Sequence, residues 1–353
     1  MLYFVEEIDL FIGKDGMSIT DAMEAIDKNA RGLLFVTDST GVLKGCISDG
    51  DIRRWIIRTG NLKGKVLDVM NRSPKWILTN EEQSGMELMK KYQIRMIPVL
   101  DENRRIVGIL TDEGKNTVVK VDDDMKGVPV FVMAGGKGTR LYPYTKILPK
   151  PLVPIGEVPI IERIMNEFSM QGTERFIVSV NYKKEILKAY LNELRQYRID
   201  YIEEDQPLGT AGSLKLITDD FPEVFFVTNC DIIVKADYSR MLAYHKSNKN
   251  DMTIISSLKK TTLPYGVLHT KEEGVITSLE EKPKKSYLIN TGMYILNKYC
   301  LDLIPNKGIY HMTDLANELL KRNKKVGTFP VSEESFFDMG EFSELQRMEA
   351  KLK

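Results

Sequence analysis

Met133-Ala134-Gly135-Gly136-Lys137-Gly138-Thr139-Arg140-Leu141, followed by Leu148-Pro149-Lys150-Pro151-Leu152, decides how this chain is read. The apolar run Val130–Met133 predicts a strand, and three glycines follow it at once. Glycines let backbone approach phosphate oxygens and aim several N–H groups at them. The loop is not a dinucleotide fingerprint. G-x-G-x-x-G counted from Gly136 would need glycine where Leu141 stands. It is not a Walker A loop either, because no Gly-Lys-Ser/Thr occurs in it. Arg140 and Lys150 add two cations suited to phosphate.

Around this loop, strand-like runs alternate with helical ones. Arg175–Val180, Asp200–Ile202 and Val224–Val227 predict strands; Ile160–Met170, Lys183–Arg195, Ser213–Ile217 and Tyr238–Ser247 predict helices. Such alternation builds a mainly parallel sheet covered on both faces, with ligands bound beyond the carboxyl ends of its strands.

The first third carries a repeat. Leu33–Asp38 and Val42–Asp49 recur 63 positions later as Met96–Asp101 and Arg105–Asp112. Each copy reads as strand, polar turn, strand, preceded by a helix: Ala22, Ala25 and Ile26 share a face in the first, Met86, Leu88 and Met89 in the second. Two copies are too few for a solenoid, so a tandem pair is expected. Asp122-Asp123-Asp124 marks a linker.

Length and charge set the outer limits. The 353 residues suggest two or three domains at about 150 each. With 42% hydrophobic residues the chain can build cores. Lys+Arg and Asp+Glu balance at 50 each; residues 1–124 carry −3 and the remainder +3. Neither part has the excess of cations that holds a protein to nucleic acid. Three scattered cysteines give neither a disulfide framework nor a zinc site, and fit a reducing compartment. The absence of a long apolar run leads to the expectation of a cytoplasmic protein with no membrane partner. His245, His269 and His311 show no metal-ligand spacing, and Trp55 and Trp76 read as packing residues.

The combination G-G-x-G-T-R-L…P-K-P-L resembles the signature of the sugar-1-phosphate nucleotidyltransferases, over about residues 128–350. Further motifs of that family follow in order: Pro207-Leu208-Gly209-Thr210-Ala211-Gly212, Asn229-Cys230-Asp231, Tyr265-Gly266-Val267, Glu280-Glu281-Lys282-Pro283, Asn290-Thr291-Gly292 and Phe337-Asp338-Met339-Gly340. The resemblance implies an α/β fold: a Rossmann-like mixed sheet of GT-A-like type. It makes Gly135, Gly136, Gly138, Thr139, Glu204, Gly209 and Thr210 the nucleotide contacts. Arg140 would hold the leaving pyrophosphate, Lys150 the α-phosphate, and Lys282 the sugar phosphate. Glu281 would hold a sugar hydroxyl, with Gly266, Asn290 and Thr291 beside it. Asp231 and Asp338 would share Mg²⁺. The family usually has glycine where Cys230 stands. Cys230 is not read as a nucleophile, because no histidine lies near it in sequence and the chemistry needs no covalent intermediate.

Residues 10–120 resemble a pair of CBS motifs, a tandem α+β module that usually senses adenine nucleotides. The carrying element is Gly45-Cys46-Ile47-Ser48-Asp49-Gly50-Asp51-Ile52. In that family a Ser/Thr and an Asp three residues on take phosphate and ribose, which here are Ser48 and Asp51. The second copy supplies Thr111 but has Gly114 in place of the acid. The resulting layout is a CBS pair over 1–124, nucleotide-sensing or structural, with repeats of about 1–61 and 62–124, then a nucleotidyltransferase domain over 125–353. CBS modules often pair across subunits, so a homo-oligomer is expected.

The implied reaction joins an NTP to a sugar 1-phosphate, releasing pyrophosphate. Family members that use uracil or thymine typically place Gln where this chain has Glu204, with Glu203 as the neighbouring alternative. An ionised carboxylate accepts in two parallel positions, which matches the N1–H and N2–H₂ of guanine and not a pyrimidine carbonyl. GTP is therefore the expected donor, with UTP or dTTP as alternatives. Fused chains of this type resemble guanylyltransferases that activate glucosamine 1-phosphate for bacterial nonulosonate (legionaminic acid) synthesis; mannose 1-phosphate is the second sugar. A catalytically inactive nucleotide-sensing subunit is the contrasting expectation, and it would be favoured by loss of Lys150, Asp231 or Lys282. All three are present.

Overall fold

The structure, a computed structural model, describes residues 3–5, 7–29, 31–79, 81–111, 125–217, 221–340, 344 and 348–349. The expected linker Asp122–Asp124, and Gly114, lie outside the described residues. The chain forms two compact units. The first comprises Met1–Thr117 and Leu258–Tyr287, the second Val118–Ser257 and Leu288–Lys353.

The repeat governs the first unit. Leu33–Thr37 pairs antiparallel with Leu43–Ser48, and Met96–Leu100 with Ile106–Thr111. Leu33 faces Ser48 as Met96 faces Thr111, and the register slips at Val36/Thr37 as it does at Val99/Leu100. Each copy gains a short parallel strand, Ile12–Lys14 in one and Ile77–Leu78 in the other. Tyr3–Phe4 adds an antiparallel edge to the second sheet. The helix Ile19–Asn29 buries Ala22, Met23 and Ile26 on one stripe, the i, i+3/i+4 spacing of an amphipathic helix. Burying Met23 or Ile26 is worth roughly 1.5–3 kcal/mol each. Trp76, expected to pack, is instead 38% exposed.

A seven-stranded sheet organises the second unit, to which Met252–Thr262 contributes residues 252–257 and Lys284–Asn297 residues 288–297. Its order is Arg198–Glu203, Arg175–Val180, Val130–Met133, Val224–Asn229, Lys284–Asn297, Met252–Thr262, Val326–Val331. The first four strands are mutually parallel, Lys284–Asn297 runs antiparallel to Val224–Asn229, and the last two are parallel to each other. The sheet is mixed. Its central strand Val130–Met133 is apolar throughout because both faces are covered: Val130 and Val132 join one core with Phe168 and Phe176, while Phe131 and Met133 join the other with Phe225 and Leu315. The helices Ile160–Ser169, Lys184–Glu193 and Tyr238–Ser247 fall where the periodicity predicts; Ser213–Leu216 is a 3-10 turn after the short helix Gly209–Gly212. Four parallel strands deliver their carboxyl ends to one edge, and the conspicuous loops all start there. No helix among the described residues is long and apolar enough to cross a membrane.

Candidate active site

At that edge lies a cavity of about 360 Å³. Its lining includes Gly135, Gly136, Gly138, Thr139 and Arg140 from the glycine loop, then Lys150, Glu204, Gly209, Thr210, Cys230 and Asp231. The loop's geometry explains its glycines. A Cβ on Gly135 would come within 2.9 Å of the Glu204 carboxylate. Gly138 has φ +66°, and a Cβ there would meet Lys150 Cβ at 2.8 Å. Lys150 is buried, held in a 3-10 turn between Pro149 and Pro151, and its ammonium pairs with the Asp231 carboxylate.

Asp231 and Asp338, distant in sequence, are brought together. Ile232–Val234 pairs antiparallel with Phe336–Asp338, and the Met339 N–H donates to the Asp231 carbonyl at 2.8 Å. Burial, and then the Asp231 charge, push the Asp338 carboxyl above its ordinary range; the Gly340 N–H, Lys150 and Arg140 oppose them. Arg140 lies close by, with Nη1 3.1 Å from where a Gly340 Cβ would sit. The arrangement concentrates cations and hydrogen-bond donors where phosphates could bind, with two carboxylates available to a divalent cation. Cys230 is buried and its thiol is pushed up to about 12, by burial and by the Asp231 charge, so it stays protonated. That agrees with its exclusion as a nucleophile.

Glu204 follows the strand Arg198–Glu203, is buried, and lines the cavity. Its Oε2 accepts from the Leu208 N–H at 3.2 Å. Burial raises its carboxyl; the Leu208 N–H and the Ser179 and Ser213 hydroxyls oppose the rise. Glu203 points elsewhere, paired with Lys184 at 2.6 Å and Lys188 at 2.5 Å. Of the two neighbours, Glu204 is the one that faces the cavity.

Gly209, at φ +82°, approaches the Tyr310 carbonyl so closely that a Cβ would stand 2.6 Å from its oxygen. The Thr210 hydroxyl accepts from the Met312 N–H at 2.9 Å, which turns it toward the start of the helix Met312–Lys321. Thr291 is buried, and its hydroxyl donates to the Ile255 carbonyl at 2.7 Å; Asn290 Nδ2 donates to the Tyr294 hydroxyl at 2.8 Å. Neither Asn290 nor Thr291 lines the cavity. Gly266, Glu281 and Lys282 belong to the first unit. There a Cβ on Gly266 would meet Glu281 Oε2 at 3.0 Å, and Lys282 has φ +48°.

Ser179, which no sequence motif marked, and Asn229, which stands in the Asn229-Cys230-Asp231 motif without an assigned role, also line the cavity. Both are polar residues near the carboxyl ends of central strands, a position that could have singled them out. Gly292, at φ +89°, lies against Asn229, whose Nδ2 would stand 2.4 Å from a Cβ there.

The first unit has a cavity of about 410 Å³ lined by Ser48, Arg31, Lys75 and Arg95, among others. Ser48 and Asp51 are engaged with each other in a capping box on the helix Asp49–Thr59: the Ser48 N–H and hydroxyl donate to Asp51 Oδ2 at 2.9 and 2.6 Å. Asp51 does not line this cavity, and neither does Thr111, whose hydroxyl donates to the Arg95 carbonyl at 3.2 Å.

The family described as nucleotidyl transferase matches residues 129–353, and the CBS domain matches 5–58 and 84–113. A mannose-1-phosphate guanyltransferase of Yarrowia lipolytica is 36% identical over 191 residues, 51% of each chain. One from Debaryomyces hansenii is 33% identical over 235 residues, 62% of this chain and 61% of its own. The chain thus spans about half to three fifths of the length of these curated relatives. The crystal structure of HddC from Yersinia pseudotuberculosis is 28% identical, with a TM-score of 0.51, over 64% of this chain and all of its own; HddC has also been solved with GMP-PN, at 27% identity. The match over 129–353 covers well over half of the sequence, and the chain belongs to the nucleotidyl transferase family.

Proposed function

We propose that this protein is a sugar-1-phosphate guanylyltransferase that joins GTP and glucosamine 1-phosphate into GDP-glucosamine and pyrophosphate. The observation that carries the reading is the single cavity lined by the glycine loop, Lys150, Glu204 and Asp231. An oxygen of the sugar phosphate attacks the α-phosphorus in line, and the bond to the bridging oxygen of pyrophosphate breaks. The nucleophile is already an anion at neutral pH, so no general base is needed. Catalysis then reduces to positioning and charge neutralisation.

In this reading the backbone of Gly135, Gly136, Gly138 and Thr139 cradles the phosphates, with Gly209 and Thr210 across the cavity. Arg140 holds the departing pyrophosphate, and Lys150 bears on the α-phosphate. Glu204 accepts from N1–H and N2–H₂ of guanine. Gly266, Glu281, Lys282, Asn290 and Thr291 are assigned to the sugar phosphate on their motifs alone. Asp231 and Asp338 fit Mg²⁺: they are hard oxygen donors brought together under like-charge repulsion, and Mg²⁺ commonly takes one or two carboxylates plus phosphate oxygens. When bound, the ion would neutralise phosphate charge. No group of three or more His, Cys, Asp or Glu suited to a metal occurs among the described residues.

The names of the curated relatives favour mannose 1-phosphate as a second reading for the sugar. The CBS pair takes an adenine nucleotide at the Ser48 cavity in this account. Incubating the protein with GTP, Mg²⁺ and each sugar 1-phosphate in turn, with mass identification of the product, tests the function. GDP-glucosamine as the favoured product supports it. GDP-mannose as the favoured product installs the second reading, and pyrophosphate release with no sugar nucleotide rejects both.

A further inference from the structure

The two copies of the repeat differ at one turn position in a way that backbone geometry makes conspicuous. Asp38-Ser39-Thr40-Gly41-Val42 and Asp101-Glu102-Asn103-Arg104-Arg105 are the same turn, 63 positions apart. Gly41 takes φ +87°, and Arg104 takes φ +60° at the equivalent place. Glycine enters that left-handed region freely, whereas a long L side chain pays a steric cost. The second copy carries that cost, and the side chain it places there has a specific neighbour. The Arg104 guanidinium lies over the half-exposed Trp76 ring, 5.5 Å from its centroid.

Both residues line a cavity of about 550 Å³ that also receives Lys44, Arg72 and Lys75. Four cations and an indole thus share one depression, and among the described residues no carboxylate lines it. Lys44 has Asp38 at 3.0 Å, Arg72 donates to the Leu67 carbonyl at 2.8 Å, and Lys75 lies over Tyr92 at 4.5 Å. The depression is distinct from the Ser48 cavity, although Ser73–Lys75 borders both. Like charges gathered this way repel one another, and a multivalent anion relieves the repulsion. Guanidinium forks and an ammonium suit adjacent phosphate groups.

We propose that this basic depression is a binding site for a di- or triphosphate anion, with Arg104 held over Trp76 to receive it. The shared chemistry is a chain of linked phosphates, supplied either by free pyrophosphate or by a nucleoside triphosphate.

Trp55→Phe leaves Trp76 as the sole tryptophan of the full chain. Titrating this protein with pyrophosphate, ATP, GTP and AMP, without magnesium, reads the site through Trp76 emission. A saturable change with pyrophosphate, weakening as salt rises, is expected. An equal response to ATP and GTP assigns the anion to triphosphates as well; a response to pyrophosphate alone restricts it to the free anion. Arg104→Gly gives the second copy the residue of the first, so its thermal midpoint should match or exceed the parent's while affinity falls at least tenfold. Arg72→Gln keeps the Arg104–Trp76 contact as reporter and should weaken binding several-fold. No saturable change, an equal response to AMP and pyrophosphate, or unaltered affinity in both variants would overturn the proposal.

Discussion

The Lys150 ammonium and the Asp231 carboxylate are each other's partners at the floor of the glycine-loop cavity, both largely withdrawn from solvent. Their attraction offsets part of the cost of holding both charges away from water. In the proposed reaction both groups have other tasks, the amine on the α-phosphate and the carboxylate on a metal ion.

Lys150→Ala should lower turnover about 10²–10³-fold, the usual cost of removing one group that stabilises developing charge. The loss should appear mainly in kcat, because the charge acts on the transferring group. Steady-state kinetics measures it, with circular dichroism confirming the fold. Retention of more than about a third of turnover would remove Lys150 from the chemistry.

Asp231→Asn and Asp338→Asn should each raise the Mg²⁺ concentration needed for half-maximal activity. One carboxylate alone leaves the ion mostly held by water. Mg²⁺ titrations of both variants measure the shift, and two curves superimposable on wild type would dissolve the pairing.

Asp51→Ala removes the acceptor of the Ser48 N–H and hydroxyl. The Ser48 hydroxyl still accepts from the backbone N–H at position 51, so only the reciprocal half of the capping box is lost, about 1 kcal/mol for a typical intramolecular hydrogen bond. Nucleotide affinity should fall as well, while turnover in the absence of adenine nucleotide stays unchanged. Calorimetry of the full chain with AMP reads the affinity. No heat from wild type would leave the Ser48–Asp51 pair with its capping role alone.

The repeat was legible because strand pairing preserves sequence spacing: one displacement of 63 maps every partner of the first hairpin onto the second, bulge included. The central strands were legible because they are apolar on both faces. Asp231 and Asp338 were legible only through the resemblance, since no local pattern shows that Ile232–Val234 will pair with Phe336–Asp338. Hydroxyl orientation was not legible. Thr210, Thr291 and Thr111 all turn toward backbone partners, which spacing does not encode. The grouping of Leu258–Tyr287 with the repeat unit was equally hidden, because contacts so distant in sequence leave no periodic trace.

Glu204→Gln should move the GTP-to-UTP ratio of kcat/KM toward UTP. The amide both donates and accepts, which suits the carbonyl beside N–H of uracil and leaves guanine with a mismatched donor. A buried mismatch of this kind is worth about 1–3 kcal/mol, or roughly 5- to 150-fold. A ratio unchanged from wild type would place the base away from Glu204.

The base preference of the wild-type protein tests the account most directly. With glucosamine 1-phosphate and Mg²⁺ held constant, kcat/KM for pyrophosphate release is measured with GTP, UTP, dTTP and ATP. GTP should lead UTP by at least about fivefold, the lower end of a buried polar mismatch. Equal or higher kcat/KM for UTP or dTTP would contradict it.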